Sequence, residues 1–283
     1  MSAVAVIGLG AMGTIMARNA AAAGHDVRVW TRNQQRLPDV AEAVGATAIP
    51  SPADAASGAE VVIVMVSDDA ASRAVWTGEH AVLRALSPAA VAIDASTLSP
   101  TWSSALAQAA TEASRPMLVA PVIGSTPQAT AGELVQLVGG DAAVLDRVRA
   151  VLETSASRIL HVGRAEDAAH RKLMVNGWLA GQTALAAELL RHLRSTGVAL
   201  EDAASFLSGL PLTSPVLEGV ITRMAAGDDE PRFPIRLVAK DAGYLAEAAG
   251  QRPYLDALAQ AWKMAADQAG DRDLVGYLQT IEG

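Results

Sequence analysis

The chain has 283 residues, 51% of them hydrophobic, and its 22 basic and 30 acidic residues give a formal net charge of −8. This length allows one large domain or two, and we expect two. The acidic balance, without a basic cluster that contains aromatic residues, argues against nucleic-acid binding. No apolar stretch approaches a membrane span and no basic leader precedes an apolar core, so we expect a cytoplasmic protein without membrane partners. There are no cysteines, and the five histidines lack metal-ligand spacing, so we predict no catalytic metal.

The first motif is an apolar strand, residues 3–7, that runs directly into Gly8-Leu9-Gly10-Ala11-Met12-Gly13. In such a turn Gly8 permits the tight bend, Gly10 lets a phosphate approach the backbone, and Gly13 lets the next helix pack on the strand. That helix, compatible with residues 14–23, directs its first N–H groups at the anion. The motif predicts a dinucleotide cofactor. The alternative is a glycine-rich turn that serves packing alone.

The second strand, Asp26 to Trp30, is followed by Thr31-Arg32-Asn33-Gln34-Gln35-Arg36. A domain that binds the ribose 2′-hydroxyl of NAD(H) has a carboxylate here, about 20 residues after the glycines. Two guanidinium groups and no carboxylate suit a 2′-phosphate instead, since Arg donates in a bidentate fork to phosphate oxygens. The loop therefore favours NADP(H) over NAD(H). The alternative is that Arg32 and Arg36 are solvated residues at a helix start.

Short apolar runs alternate with Ala-rich helical segments through the first 160 or so residues, as in a doubly wound parallel sheet. We expect these strands to be buried on both faces. The further runs are 61–66, 90–94, 117–119, 134–138 and 159–162. One long helix is predicted from Glu166 to about Arg194, and from Gly197 onward we predict helices without a strand. The fold class is α/β, with a Rossmann domain at 1–163, an interdomain helix at 164–194 and an all-α domain at 195–283.

The reacting groups should lie at the carboxyl edge of the sheet. Asp94-Ala95-Ser96-Thr97 ends a strand, and its hydroxyls could bond the cofactor ribose or a substrate oxygen. An equal alternative is that Ser99 and Pro100 simply begin a helix in this segment. A second candidate segment is the predicted loop at 120–128, which has Gly124 at its centre.

Lys172 and Asn176 are four residues apart on the predicted long helix, so they share one face about 6 Å apart along the axis. An ammonium and an amide at this spacing can address one small substrate. A lysine whose pKa is lowered by burial from about 10.4 can donate a proton to a carbonyl as hydride arrives. The alternative is a solvated lysine and a core asparagine that bends the helix.

Six ordered motifs together resemble the β-hydroxyacid dehydrogenases, a family that includes 3-hydroxyisobutyrate dehydrogenase and the glyoxylate and succinic semialdehyde reductases. The resemblance runs nearly from end to end. It rests on the glycine turn, the strand end Asp94 to Thr97, Ala120-Pro121-Val122 with Gly132, Val138-Gly139-Gly140, Lys172-x-x-x-Asn176, and the stretch from Phe233 to Lys240-Asp241.

The resemblance implies a nicotinamide-dependent enzyme with a small-molecule substrate. It implies that Lys172 is the general acid, that Asn176 holds it and the substrate, and that Lys240 completes the cleft beside the nicotinamide. It also implies a homodimer or tetramer, formed through the long helix. The predicted cofactor contacts are Gly8, Leu9, Gly10, Ala11, Met12, Gly13, Thr31, Arg32, Asn33, Arg36, Val66, Ser67, Ser96, Thr97 and Lys240. The predicted substrate contacts are Ser96, Val122, Ile123, Gly124, Ser125 and Lys240.

One departure from the family pattern concerns substrate recognition. After Pro-Val the family usually has Ser followed by two glycines, whereas this chain has Ile123-Gly124-Ser125. A hydroxyl that would bind a carboxylate is thus replaced by an apolar group, which fits a less polar substrate. Two other readings are an imine reductase, against which Lys172 argues, and a non-catalytic NADP-binding module, against which the presence of both Lys172 and Asn176 argues.

Overall fold

The computed structural model describes residues 1–78 and 80–281. The chain divides into two compact units, Met1–Lys172 and Leu173–Gly283. The elements of the first unit are, in chain order, β1 (Ala3–Ile7), α1 (Ala11–Ala22), β2 (Asp26–Trp30), α2 (Leu37–Val44), β3 (Thr47–Ala48), α3 (Pro52–Ala56), β4 (Val61–Val64), α4 (Asp69–Trp76), α5 (Val82–Ala85), β5 (Val91–Asp94), α6 (Pro100–Glu112), β6 (Met117–Val119), β7 (Val122–Ile123), α7 (Thr126–Thr130), β8 (Leu134–Gly140), α8 (Ala142–Leu152) and β9 (Ala156–Gly163).

Within the described residues these nine strands form one sheet in the order β3-β2-β1-β4-β5-β6-β8-β7, with β9 paired to β8. The pairs from β3 to β6 are all parallel. The chain order changes direction at β1, since β2 and β3 follow on one side of it and β4, β5 and β6 on the other. At such a switch point a doubly wound sheet opens a crevice at its carboxyl edge. The predicted α/β doubly wound fold is confirmed.

The central strands are buried on both faces, as their continuous apolar runs predict. In β1, Val4 and Val6 contribute to the core on one face of the sheet, whereas Ala5 and Ile7 contribute to the core on the other. The same alternation continues along β2, β4 and β5. This double burial fixes the sheet rigidly, so that the loops at its carboxyl edge start from defined positions.

Two features of the sheet differ from the sequence prediction. β8 runs antiparallel to β6 and to β7, because the segment 120–128 is not the predicted loop but contains β7 and α7. β9 is largely exposed rather than buried on both faces, with Leu160 38% accessible. Among the described strands β9 pairs with β8 alone and is an edge strand, so it is less enclosed than the central strands, which have a neighbour on each side.

The long helix α9 spans Ala165–Ser195, close to the predicted limits. It is followed by α10 (Leu200–Ser208), α11 (Pro215–Ala226), α12 (Ile235–Ala249), α13 (Pro253–Ala269), a 3-10 turn (Leu274–Gly276) and α14 (Tyr277–Thr280). No strand is found among the described residues after 197, where a single bridge joins Pro234 to Asp273. The division into compact units falls inside α9, so its first two turns belong to the first unit. The domain limits at 163 and 194 stay a prediction.

A buried carboxylate organises the second unit. Asp273 is fully buried, and its Oδ1 accepts a hydrogen bond from Arg223 Nη1 at 2.9 Å. Its Oδ2 accepts from the backbone N–H groups of Arg232 and Phe233, at 2.7 and 2.8 Å. These bonds hold the chain where it enters α12, the helix that carries Lys240. In the part of the chain that the structure describes, no helix is long and apolar enough to cross a membrane.

Candidate active site

The glycine turn between β1 and α1 is closed against a neighbouring loop. Gly8 has φ +100°, and a Cβ there would lie 2.2 Å from the carbonyl oxygen of Met65. A Cβ on Gly13 would lie 2.0 Å from the carbonyl oxygen of Gly8. Both positions therefore require glycine for the fold itself, because a side chain at position 8 would collide with the loop after β4 and one at position 13 with the turn itself.

Gly10 is different, because the protein does not require a glycine there. Its φ and ψ are −76° and −171°, which any residue adopts, and a Cβ would find no atom within 4 Å. Gly10 caps α1, whose first turn has no side-chain cap and no acidic residue. A glycine that neither backbone nor packing demands, at the start of an uncapped helix, fits the close approach of a pyrophosphate to the helix N-terminus.

The other residues of the turn contribute in different ways. The side chain of Leu9 is 3% exposed and belongs to the core, so only its backbone is available to a cofactor. Met12 is half-buried against the same core, and Ala11 is exposed. The turn is joined to β2 by the N–H of Gly8, which donates to the carbonyl oxygen of Trp30 at 2.8 Å.

The loop after β2 carries the residues that are predicted to bind the 2′-phosphate. Arg32, Asn33 and Arg36 are exposed and Thr31 is half-buried. Asn33 accepts from the N–H of Gln35 at 3.2 Å, which shapes the loop before α2. Among the described residues no ion pair is found for Arg32 or Arg36, so no described carboxylate neutralises either guanidinium.

The loops that follow β4 and β5 are joined by the predicted strand-end motif. Ser96 is fully buried, and its Oγ accepts from the backbone N–H of Val66 at 2.9 Å. Ser67 is exposed and Thr97 is half-buried at the same edge of the sheet. Ser99 caps α6, accepting from the N–H of Trp102 at 3.0 Å, so the helix start posed as an alternative is also present. A direct contact of Ser96 with cofactor or substrate stays a prediction.

Asp94, the last residue of β5, lies beneath these loops with no exposed surface. Its Oδ2 accepts from Ser72 Oγ at 2.6 Å and from Trp76 Nε1 at 2.8 Å, and its Oδ1 accepts from the N–H of Ser96 at 2.9 Å. Burial raises the pKa of this carboxyl group, because desolvation penalises its charged form, and the hydrogen bonds from Ser72, Ser96 and Trp76 act in the opposite direction. Ser72 and Trp76 belong to no motif, so the sequence alone does not identify them as partners of Asp94.

The predicted substrate loop is held firmly from within the first unit. Gln136, 2% exposed, donates to the carbonyl oxygen of Ala120 at 2.8 Å. Val122 is buried in the core, while Ile123 is partly buried against a small apolar cluster that includes Ala165 and Ala168 of α9. Gly124 has φ +126°, and Ser125 Oγ lies 2.8 Å from Gln128 Oε1. The loop thus presents an apolar side chain next to the first turns of α9.

Lys172 lies on the buried face of α9 and is only 8% exposed. The other buried residues along this face are small or apolar apart from Asn176 and Thr183: Ala165, Ala168, Ala169, Leu173, Asn176, Ala180, Thr183, Ala184, Ala187 and Leu190. The chain contains three lysines, Lys172, Lys240 and Lys263, and lysine is almost never buried without a specific reason. The structure therefore excludes the alternative of a solvated lysine at position 172.

In the second unit Asn176 and Lys240 are joined by one carboxylate. Asn176, 5% exposed, donates through Nδ2 to Asp241 Oδ2 at 2.6 Å. Lys240 Nζ lies 3.0 Å from Asp241 Oδ1, and Asp241 is 3% exposed. Asp241 thereby fixes which way the Asn176 amide points. Asp241 lies in a stretch that resembles the family, but its role was not predictable from the sequence, because its contact with Asn176 spans 65 residues of chain.

No group of three or more His, Asp or Glu side chains with metal-binding geometry occurs within residues 1–78 and 80–281. In the first unit, an open glycine at a helix N-terminus and exposed guanidinium groups can bind a phosphorylated dinucleotide, and a lysine such as Lys172 can protonate a small carbonyl compound. In the second unit, the Asn176 amide and the Lys240 ammonium are held by one carboxylate.

Comparison with known families supports this reading of both units. Residues 3–163 match the model described as the NAD binding domain of 6-phosphogluconate dehydrogenase. Residues 167–281 match the model described as NAD-binding of NADP-dependent 3-hydroxyisobutyrate dehydrogenase. The chain belongs to the β-hydroxyacid dehydrogenase family, and it is an NAD(P)-dependent oxidoreductase.

Characterised relatives are similar over most of their length. The 3-sulfolactaldehyde reductase of Escherichia coli is 31% identical over 256 residues, which cover 89% of this chain and 84% of that protein. The NAD-dependent L-serine dehydrogenase of Pseudomonas aeruginosa is 32% identical over 256 residues, which cover 88% of this chain and 86% of that protein.

Solved structures agree with the fold. The 3-hydroxyisobutyrate dehydrogenase of Mycobacterium tuberculosis, solved with L-serine, has a TM-score of 0.88 and 29% identity, with both chains covered completely. An imine reductase from Myxococcus stipitatus in complex with NADP+ has a TM-score of 0.65 and 22% identity, with 99% of each chain covered. At that identity the second likeness shows a shared fold alone.

Gly10 and Gly13 allow cofactor binding to be separated from folding. Gly10→Ala should leave stability unchanged or raise it by about 0.5 kcal/mol, since its backbone conformation suits alanine, yet weaken NAD(P)H binding by about tenfold or more, a loss of about 1.4 kcal/mol. Gly13→Ala should instead destabilise the protein by about 1 to 3 kcal/mol through overpacking. Thermal unfolding measures the stability of both variants, and fluorescence titration measures their affinity for NAD(P)H. If Gly10→Ala lowers stability and affinity by the same free energy, the turn at Gly10 is not a pyrophosphate site.

Proposed function

We propose that the protein is an NADPH-dependent oxidoreductase that transfers hydride between the nicotinamide and a small aldehyde or keto acid, or the corresponding 3-hydroxy acid. The observation that carries this proposal is the burial of Lys172 one helical turn before Asn176, on a face of α9 made mostly of Ala and Leu. Lysine is almost never buried to this degree without a specific reason, and a role in proton transfer is such a reason.

In the proposed reaction the reduced nicotinamide supplies the hydride. As hydride reaches the carbonyl carbon, Lys172 donates a proton from Nζ to the carbonyl oxygen, so that an alcohol leaves and the amine is reprotonated by water. In the reverse direction the neutral amine accepts the hydroxyl proton. Asn176, whose Nδ2 is committed to Asp241, offers its Oδ1 as an acceptor that can orient an ammonium or a hydroxyl group. We infer that Asp241 positions both Asn176 and Lys240 for this purpose.

The preference for NADPH rests on the loop after β2. It carries Arg32 and Arg36, both exposed, and no carboxylate between residues 31 and 36. A carboxylate at this point would bind the ribose hydroxyls of NAD(H) and repel a 2′-phosphate. We assign Arg32, with Thr31, Asn33 and Arg36 around it, to the 2′-phosphate, although one relative is named as NAD-dependent.

The substrate class follows from the apolar position in the substrate loop and from the names of the relatives. Those names concern small three- and four-carbon hydroxy acids and an aldehyde. Ile123 cannot donate a hydrogen bond to a carboxylate, so any acidic group of the substrate must be bound by other groups, such as Ser125, Lys240 or backbone N–H groups near Gly124. An imine reductase is less well supported, because its likeness concerns the fold alone. A non-catalytic module is disfavoured by the buried lysine.

Replacement of Lys172 tests the proposed chemistry. Lys172→Ala should lower kcat by about 10² or more, the usual contribution of a general acid, while NADPH still binds with nearly unchanged affinity. The assay follows loss of NADPH absorbance with glyoxylate, succinic semialdehyde, methylmalonate semialdehyde and a cyclic imine.

Lys263→Ala is the matched control, because Lys263 is exposed on α13. It should turn over every substrate like the unaltered protein. Turnover of the imine alone would move the protein to the imine reductases, and an unchanged rate for Lys172→Ala would remove Lys172 from the mechanism. NADPH binding without turnover of any carbonyl compound would favour a binding module.

Replacement of Arg32 tests the cofactor preference. Arg32→Ala should weaken NADPH by about tenfold or more, because a charge-assisted bond contributes about 1.5 to 3 kcal/mol, and change NADH by less than about twofold. Dissociation constants from fluorescence titration measure both, with Arg18→Ala, an exposed arginine of α1, as the control. Equal losses for the two cofactors would show that Arg32 does not read the 2′-phosphate.

We also propose a homodimer or tetramer, supported by an apolar stripe on the outer face of α9. Met174, Trp178, Leu185 and Leu189 are 61%, 75%, 58% and 42% exposed, and their spacing places them on one side of the helix. Solvent-exposed side chains of this size in one stripe are typical of a protein interface.

Charge placed in this stripe should disrupt assembly. Trp178→Glu should shift the molecular mass, measured by size-exclusion chromatography with light scattering, from the oligomer toward the 29.1 kDa chain. Trp178→Phe keeps an apolar ring and should leave the mass unchanged. If Trp178→Glu has the same mass as the unaltered protein, the stripe is not the interface.

A further inference from the structure

The loop after β4 is the surface on which the glycine turn rests. The absent Cβ of Gly8 would lie 3.1 Å from Val66 Cγ1 as well as 2.2 Å from Met65 O, and that of Gly13 would lie 3.4 Å from Met65 Cβ. The position of the turn is therefore set by Met65, chiefly its carbonyl group, and by the side chain of Val66. Any displacement of these groups would displace the turn.

The backbone of Val66 is held in turn by the loop after β5. Its N–H donates to Ser96 Oγ, and the N–H of Ser96 donates to Asp94 Oδ1. Asp94 is the final residue of β5, paired in the sheet with Val64, and therefore belongs to the rigid core. A continuous series of short hydrogen bonds thus runs from the sheet through Asp94 and Ser96 to the residue that supports the glycine turn.

The second oxygen of Asp94 holds the helices that follow the two loops. Ser72 and Trp76 of α4 donate to Oδ2, and Trp102 of α6 donates through Nε1 to Ser72 Oγ at 2.9 Å. The carboxylate accepts from three donors and is fully enclosed, so its bonds are not shared with water. A buried polar group with all its partners in place specifies one arrangement of the elements that it joins.

We propose that Asp94 is a positioning residue that, through Ser96 and Val66, sets the geometry of the nicotinamide half of the cofactor site. The sheet order indicates which half of the cofactor lies near these residues. The loop proposed for the 2′-phosphate, at the adenine end, follows β2 on one side of the glycine turn, so the loops after β4 and β5 flank the other side, where the nicotinamide half would lie. Ser96 then acts through the Val66 backbone. This inference rests on the proposed binding of NADPH, but it does not depend on the substrate.

The test compares the binding of the whole dinucleotide with the binding of a fragment that contains its adenine end alone. Binding of NADPH and of 2′,5′-ADP, which carries only the adenine end, is measured by calorimetry for the unaltered protein, Asp94→Asn and Ser96→Ala. Both variants should weaken NADPH by about tenfold and 2′,5′-ADP by less than about twofold, the loss expected for misplaced rather than missing contacts. Ser96→Ala, a small change, keeps the test valid if Asp94→Asn does not fold.

Ser103→Ala is the matched control, because Ser103 is as fully buried as Ser96, on α6 of the same compact unit, but its Oγ has no hydrogen-bond partner among the described residues. It should leave both dissociation constants unchanged. Parallel weakening of both ligands by Asp94→Asn and Ser96→Ala, or no weakening of NADPH, would overturn the proposal. If the unaltered protein binds neither NADPH nor NADH, the proposed function fails instead. If it prefers NADH, 5′-AMP replaces 2′,5′-ADP, and both variants should again weaken the dinucleotide by about tenfold and the adenine fragment by less than about twofold.

Discussion

The close packing of the glycine turn against the end of β4 is the constraint on which the first unit depends. Gly8 and Gly13 leave no room for a side chain, so β1, α1 and the Met65–Val66 segment form one rigid contact. Burial of the central strands on both faces holds that contact in place, because neither β1 nor β4 can shift without opening a core. Gly10 alone among the three glycines is open, which leaves space for the phosphate of a cofactor at the start of α1.

A second constraint comes from the buried face of α9. Alanine and leucine along this face allow close packing, and Lys172 and Asn176 occupy the same face without reaching solvent. Asp241 fixes the Asn176 amide and pairs with Lys240, so two of the polar groups with proposed roles in catalysis or positioning are ordered by one carboxylate. A group whose geometry is fixed before the substrate arrives loses less freedom when the reaction occurs. The chemistry proposed for Lys172 depends on this prior ordering.

The fold was predictable where the signal is local. The apolar runs predict β1, β2, β4 and β5, and the uninterrupted run of helix-forming residues after Gly163 predicts α9 to within a residue at each end. The antiparallel turn at β7 and β8 was missed because β7 has only two residues, too few to show a period. The exposure of β9 was missed because an apolar run does not reveal that its strand has one neighbour.

The candidate site was predictable where a residue type is itself unusual, as with Gly10, Arg32 and Lys172. The supporting residues were not, because Ser72, Trp76 and Asp241 act through contacts across 18 to 65 residues of chain that leave no spacing in the sequence. Asp94 was recognised only as part of a motif, and its hydrogen bonds show why that motif begins with a carboxylate. Burial in the fold, not pattern, distinguishes these residues from ordinary polar ones.

If Lys172 is buried for its chemistry and not for the stability of the fold, its replacement must slow the reaction in a protein that still folds and still binds cofactor. The decisive measurement is therefore kcat of Lys172→Met, which replaces the ammonium by an apolar side chain of similar length, together with the dissociation constant for NADPH. We expect kcat to fall by about 10² or more while this dissociation constant stays nearly unchanged. An unchanged kcat, or a loss of NADPH binding in parallel with the loss of kcat, would show that Lys172 serves the fold and not the reaction.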